Sequence, residues 1–148
     1  MRHLMPQTVK SLRSFREEAS VKNLVDTHIL LWVVQNSPKL SQKARFLLTD
    51  PEDEYWFSAA SVWEIAIKRG TKAARLPISA EQARAAFLAA GFKELTVSSL
   101  HAAAVESLPK LHKDPFDRML VAQSRVEGWR LITHDTTLTG YGEWIVCV

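Results

Sequence analysis

The sequence predicts an α/β domain built on a mainly parallel five-stranded sheet flanked by helices. Short apolar runs alternate with stretches of helical periodicity along the chain, and turn or cap residues mark the switches between them. The 148 residues suit one domain with one core, and 47% hydrophobic with 24% charged residues is an ordinary globular balance.

Asn23-Leu24-Val25 reads as a buried first strand that ends at Asp26. A helix from about Ile29 to Gln35 follows and is stopped by Asn36-Ser37-Pro38. Ser41 caps a helix through Leu48, and Asp50-Pro51 turns the chain into a strand over Glu54 to Ser58. Ser61 starts a helix that ends at Gly70; Ser79 with Gln82 makes a capping box for the next, which ends at Gly91. Glu94 to Val97 reads as the third strand, and Ser98 caps a helix to Leu108. Asp114-Pro115 opens a helix that stops at Gly128, with proline at the favoured first position. Arg130 to Thr133 and Trp144 to Val148 complete the strands.

Residues 1–22 stand apart as an N-terminal extension, with the domain itself expected over 23–148. Met5, Val9, Leu12, Phe15 and Ala19 recur at helical spacing, as in an amphipathic helix. Arg2, Lys10, Arg13, Arg16 and Lys22 against Glu17 and Glu18 account for the whole net charge of +3. The rest of the chain is electroneutral, so any nucleic-acid affinity there must come from local clustering.

Several function classes are disfavoured. The single cysteine, Cys147, forms no internal disulfide, and the longest apolar run, Ile29 to Val34, is too short to span a bilayer. With no secretory leader visible, a soluble cytoplasmic protein without membrane partners is expected. The histidines and the cysteine lack zinc-ligand spacing, and the five glycines form no phosphate-cradling loop.

The acids carry the positive signal. Ligands of open α/β sheets bind at the carboxyl ends of the strands, and Asp26 and Asp135 directly follow predicted strands. Glu64 lies early in the helix after the second strand, and Asp117 in the first turn of the helix before the fourth. Clustered carboxylates raise one another's pKa, a penalty that a divalent cation removes. Carboxylates suit Mg²⁺ or Mn²⁺, and such a site activates water and stabilises charge on a phosphate.

Each acid also has a plainer explanation. Asp26 suits a helix cap, and Glu64 a capping box with Ser61 or an i,i+4 pair with Lys68. Asp114 is best explained as an N-cap, Asp117 complements the helix dipole, and Asp135 belongs to a turn. His28, His112 and His134 read as solvent-facing or structural. Trp32 and Trp63 fall on apolar helix faces and read as core. Lys68, Arg69, Lys72 and Arg75 form one acid-free basic cluster, and Lys110, His112, Lys113 and Arg118 a second. Such runs usually face solvent; beside a metal site, Lys68, Arg69, Lys72, Lys113 and Arg118 become candidates for RNA contact.

Leu24-Val25-Asp26-Thr27-His28-Ile29-Leu30-Leu31-Trp32, Ser61-Val62-Trp63-Glu64-Ile65, His112-Lys113-Asp114-Pro115-Phe116-Asp117-Arg118 and Thr133-His134-Asp135 occur in that order. Together they resemble the motifs of PIN-domain proteins, and more closely those of VapC-type toxins of bacterial toxin–antitoxin pairs. The resemblance covers residues 23–148, and the Asp-Pro-Phe-Asp-Arg stretch is its most specific part. It implies a PIN-like three-layer sandwich, Mg²⁺- or Mn²⁺-dependent RNA cleavage, homodimerisation and inhibition by a cognate antitoxin. It also implies that Asp26, Glu64, Asp117 and Asp135 hold the metal, with Thr133 and Asp114 supporting them. Residues 1–22 depart from the pattern, and Val21 stands where an alternative start codon is readable.

Two alternatives remain at this level. A catalytically silent nucleic-acid-binding or scaffold module on the same fold has no need of four clustered acids. A phospho-accepting receiver domain wants paired acids after the first strand and a lysine after the last, and neither is present.

Overall fold

A computed structural model of the chain describes residues 20–71 and 76–148. The helical stripe expected before Ser20, and Lys72 and Arg75 of the first basic cluster, lie outside the described residues. Five parallel strands form one sheet in the order β3-β2-β1-β4-β5. They are β1 (Lys22–Val25), β2 (Glu54–Ser58), β3 (Lys93–Leu95), β4 (Arg130–Thr133) and β5 (Ile145–Cys147). The helices are α1 (Thr27–Val34), α2 (Gln42–Leu47), α3 (Ala59–Arg69), α4 (Ala80–Ala89), α5 (Ser99–Ala104) and α6 (Pro115–Glu127). Two 3-10 turns, Val105–Ser107 and Thr136–Tyr141, complete the described elements.

Strand residues alternate between two cores, because successive side chains point to opposite faces. Val25, Phe57 and Ile132 face α1 to α4, where Ile29, Leu30, Ile65 and Phe87 close over them. Leu24, Leu131 and Ile145 face the other way, under Leu120 and Val121 of α6 and Leu138 of the second 3-10 turn. The result is three layers, helices–sheet–helices. Both sheet faces are covered, as an all-parallel sheet requires.

Sheet order places the site. From β1 the chain first winds to β2 and β3, then returns to add β4 and β5 on the other side of β1. The winding reverses between β1 and β4, so their carboxyl ends border the crevice where ligands of open α/β sheets bind. At the opposite end, buried Asn23 donates to the carbonyls of Val21 and Glu54 and accepts from Arg130 Nε at 2.8 Å. Its polar groups are satisfied there, which makes the burial tolerable.

Most expected elements are present, with shifted ends. β1 begins at Lys22, and α1 begins at Thr27 because the Asp26 side chain caps it. α3 begins at Ala59 rather than Ser61, because Ser58 accepts the Ala60 N–H at 2.9 Å. Ser58 also donates to the buried Gln123 at 2.6 Å, which ties α3 to α6. β3 starts one residue early and ends two early, and the helix expected from Ser98 to Leu108 stops at Ala104 before tightening into a 3-10 turn. The Ser79–Gln82 capping box forms, and Gly128 ends α6 at φ 72°, where glycine is favoured.

Gly142 lies against the ring of Trp144, whose indole N–H donates to Ser124 Oγ at 2.9 Å, and an added Cβ would overlap that ring. Gly142→Ala is therefore expected to cost about 1–3 kcal/mol through overpacking. Urea unfolding reads this directly, and an unchanged midpoint would show that Trp144 moves aside freely.

Candidate metal centre

Asp26 is held from three directions at the end of β1. Its Oδ1 accepts the Ile29 N–H at 3.0 Å and so caps α1. Its Oδ2 accepts the Thr133 hydroxyl at 2.6 Å and the His134 N–H at 3.1 Å, both at the end of β4. Thr133 Oγ1 also accepts the Asp135 N–H at 3.0 Å, so one hydroxyl positions two acids. Asp135 caps the second 3-10 turn through Oδ1, which accepts the Thr137 N–H and hydroxyl at 2.9 and 2.7 Å.

Glu64 reaches the site from α3 and is 3% exposed, too buried for a solvated helix-face acid. The Thr27 hydroxyl donates to its Oε1 at 2.6 Å and lies 2.8 Å from the Ser61 hydroxyl. Lys68 pairs with its other oxygen. The expected i,i+4 pair thus forms, but the expected Ser61–Glu64 capping box does not, since α3 starts a turn sooner.

Asp117 stands in the first turn of α6, positioned by the cap of that helix. Asp114 Oδ1 accepts the N–H groups of Phe116 and Asp117, at 2.8 and 3.3 Å, and so plays the N-cap role its sequence suggests. From the described residues the Asp117 carboxylate accepts no hydrogen bond; His112 Nε2 is 3.6 Å away. Burial, with the carboxylates of Asp114, Glu64 and Asp26, pushes its pKa up to about 7 against the partial relief of His112. Asp135 moves the opposite way. Burial would raise it, but the Thr137 bonds and His112 hold it below the usual carboxylate value.

His112, read from sequence as structural or solvent-facing, is drawn into the centre. Its Nε2 lies 2.8 Å from Asp135 Oδ2, and donor atoms of His112, Asp117 and Asp135 all lie within 4.8 Å of one another. Yet its Nδ1 accepts the Asp114 N–H at 3.1 Å. The lone pair of Nδ1 is thus used, so the ring proton sits on Nε2 and points at Asp135. In that tautomer His112 donates to Asp135 and has no free lone pair for a cation. Its proximity to the Asp114 cap is the sequence signal that would have found it.

Asp26, Asp117 and Asp135 line one open cleft of about 470 Å³, together with His28, Trp32 and His134. Glu64 is outside that lining, though near enough to influence Asp117. All four acids therefore gather at one sheet edge without forming a single equivalent set. The basic candidates divide as well. Lys68 is engaged by Glu64; burial alone would lower its pKa, but the bond and charge of Glu64, with Asp114 and Asp117, raise it. Arg118 donates to the carbonyls of Pro109 and Val105 and to the Tyr141 hydroxyl, a structural clamp rather than a free phosphate contact. Arg69 and Lys113 are exposed.

The expected core placement of Trp63 is corrected: it is 60% exposed and meets the Phe116 ring edge-on at 5.1 Å. Trp32 is half-buried, one side on the core and another on the cleft.

The donor set fits a hard divalent cation. It offers carboxylate oxygens, and the upward shift of Asp117 marks a surplus of negative charge that a cation would neutralise.

The PIN domain family matches residues 24–143, and the chain belongs to it. No curated protein matches the chain by sequence. Its fold is similar to that of VapBC2 from Rickettsia felis bound to a DNA fragment from its promoter, at TM-score 0.61 and 12% identity over 86% of this chain and 98% of that one. DNA-bound VapBC from Salmonella typhimurium gives 0.60 and 17% over the same shares, 86% and 98%. VapC20 from Mycobacterium tuberculosis, a toxin that cleaves the sarcin–ricin loop, gives 0.51 and 19% over 81% and 95%. At these identities the likeness is one of fold. No described helix is long and apolar enough to cross a membrane.

The Asp117 shift sets a pH dependence. Its folded pKa of about 7 exceeds the ordinary 3.8, so its stabilising contribution is full below about 4 and lost as pH rises through 7. Asp117→Asn does not titrate. In chelator its urea midpoint should gain on the parent's as pH rises from 4 to 8; a difference that stays constant with pH would contradict the shift.

Proposed function

We propose that this chain is a metal-dependent endoribonuclease and the toxin of a cytoplasmic toxin–antitoxin pair. The observation that carries the reading is the convergence of Asp26, Asp117 and Asp135 on one cleft, with Glu64 buried beside them. A scaffold gains nothing from an acid whose carboxyl is pushed up by burial and by neighbouring carboxylates. Asp26, Asp117 and Asp135, with Glu64 alongside, are the residues that would hold Mg²⁺ or Mn²⁺. When bound, the cation would supply activated water and offset charge developing on a phosphate.

The chain's own residues do the rest. The α1 cap and the Thr133 hydroxyl fix Asp26, so little reorganisation is needed when substrate arrives. His112 holds Asp135 and gives the nearby Asp117 a partial positive edge. Exposed Arg69 and Lys113 would meet RNA phosphates, whereas Lys68 is engaged by Glu64.

A homodimer fits the exposed apolar groove of about 450 Å³ formed by α3, α5 and α6, where Trp63, Val97, Phe116 and Met119 meet. Leu100 of α5, outside the groove lining, is a further apolar side chain left 65% exposed. The antitoxin reading rests on the fold neighbours, which include toxin–antitoxin complexes.

Two measurements test this reading. Asp26→Asn keeps the shape of the side chain and one of its two accepting oxygens, enough to cap α1 through the Ile29 N–H, while removing a charge. It should fold and lose RNA cleavage at least about 100-fold, as should the parent in excess chelator. Cleavage surviving either treatment would falsify the metallonuclease reading. Trp63→Glu should convert a dimer to a monomer in light scattering; a parent that is already monomeric at micromolar concentration removes the dimer from the proposal.

A further inference from the structure

We propose that the cleft beside the acids is a nucleobase subsite, in which an unpaired base next to the scissile phosphate packs against Trp32, His28 and His134. The inference rests on the ribonuclease reading and names the side chains that would hold the base beside the cleaved bond. Trp32 meets His134 edge-on, with ring centroids 4.9 Å apart at 78°. His28, one helical turn before Trp32 on α1, lies 6.1 Å from it at 47°. Three aromatic rings therefore adjoin the acids where β1 and β4 end.

The charge of the cleft decides which part of a nucleotide enters. Among the described residues its lining holds three aspartates and neither lysine nor arginine. A second phosphate would meet only repulsion there beyond what one cation offsets, whereas a nucleobase is neutral and presents a π-face that stacks on aromatic rings whatever its sequence. The volume, about 470 Å³, lies within the roughly 300–1,000 Å³ of small-molecule pockets. Exposed cations outside the cleft lining, Arg69 and Lys113 among them, suit the continuing phosphate chain. The cleft thus separates base from backbone, and only a strand whose base is free to leave its stack satisfies both.

His134 permits a clean test, because its side chain is exposed while the N–H that Asp26 accepts belongs to its backbone. His134→Ala keeps that hydrogen bond. The parent chain with Mg²⁺ is given a single-stranded oligoribonucleotide cleaved at one position, and two copies of it carrying an abasic residue on either side of the cleaved bond. One abasic copy should lose roughly tenfold or more in kcat/KM, as base–aromatic stacking predicts. His134→Ala and His28→Ala should lose a comparable factor on intact RNA and little further on that abasic copy, because the interaction has already gone. Equal cleavage of all three RNAs by the parent, or losses that multiply in full, overturns the subsite while leaving the ribonuclease reading intact. A parent that cleaves no RNA overturns both.

Discussion

The site depends first on the parallel pairing of β1 with β4. Residues 107 positions apart in the chain meet there, Thr133 giving its hydroxyl to Asp26 at 2.6 Å. The Asp26 N–H donates to the Ile132 carbonyl at 2.9 Å, continuing the ladder one residue past the strand. A slip of one residue in this register would turn Leu24 and Val25 into each other's cores and swing Asp26 away from the cleft. The two separate hydrophobic faces specify that register strongly, so the core fixes the geometry of the acids. Packing and chemistry are not independent demands here: Leu131 and Ile132 secure one strand, and the next residue secures the acid.

Against that scaffold stands the repulsion of the carboxylates. Neutral donors answer much of it: Thr27 to Glu64, Thr133 to Asp26, Thr137 and His112 to Asp135. Such donors favour the charged form of a carboxylate without adding a full positive charge. A cluster of arginines would satisfy the acids completely and leave nothing for a cation to gain. Lys68 is the charged partner in the arrangement, and it engages Glu64, the acid outside the cleft lining.

What the sequence disclosed follows the range of the forces involved. Alternating apolar runs, caps and the Pro115 start are local, and they foretold the strands and helices to within a few residues. Strand-end position foretold the gathering of Asp26 and Asp135, because topology alone places that edge. Partner choice was beyond local reading. Ser58 displaced Ser61 as the cap of α3 since Ser61 is needed against Thr27, a contact spanning 34 residues. His112 read as either solvent-facing or structural, and its partners stayed hidden because Asp135 and Asp117 arrive from other elements. Arg118 looked free for RNA because the carbonyls it clamps belong to a loop whose path the pattern does not encode. Trp63 lies on a helix face that is apolar in sequence but uncovered in this fold.

Hydrogen-bond capacity ranks the acids by what they lack. A carboxylate offers about four acceptor sites. Asp26 uses three of them, on Ile29, Thr133 and His134, and Asp135 uses three, on Thr137 twice and His112. Each retains about one. Glu64 has Thr27 and Lys68. Asp117 has a histidine edge at 3.6 Å and no hydrogen bond from the described residues, although burial has removed much of its water. Its upward pKa shift is the expected response of a desolvated acid facing three others without a donor of its own. The acids held tightly by the scaffold therefore supply geometry, while Asp117 supplies unmet electrostatic demand. That demand is what a cation in the cleft would relieve.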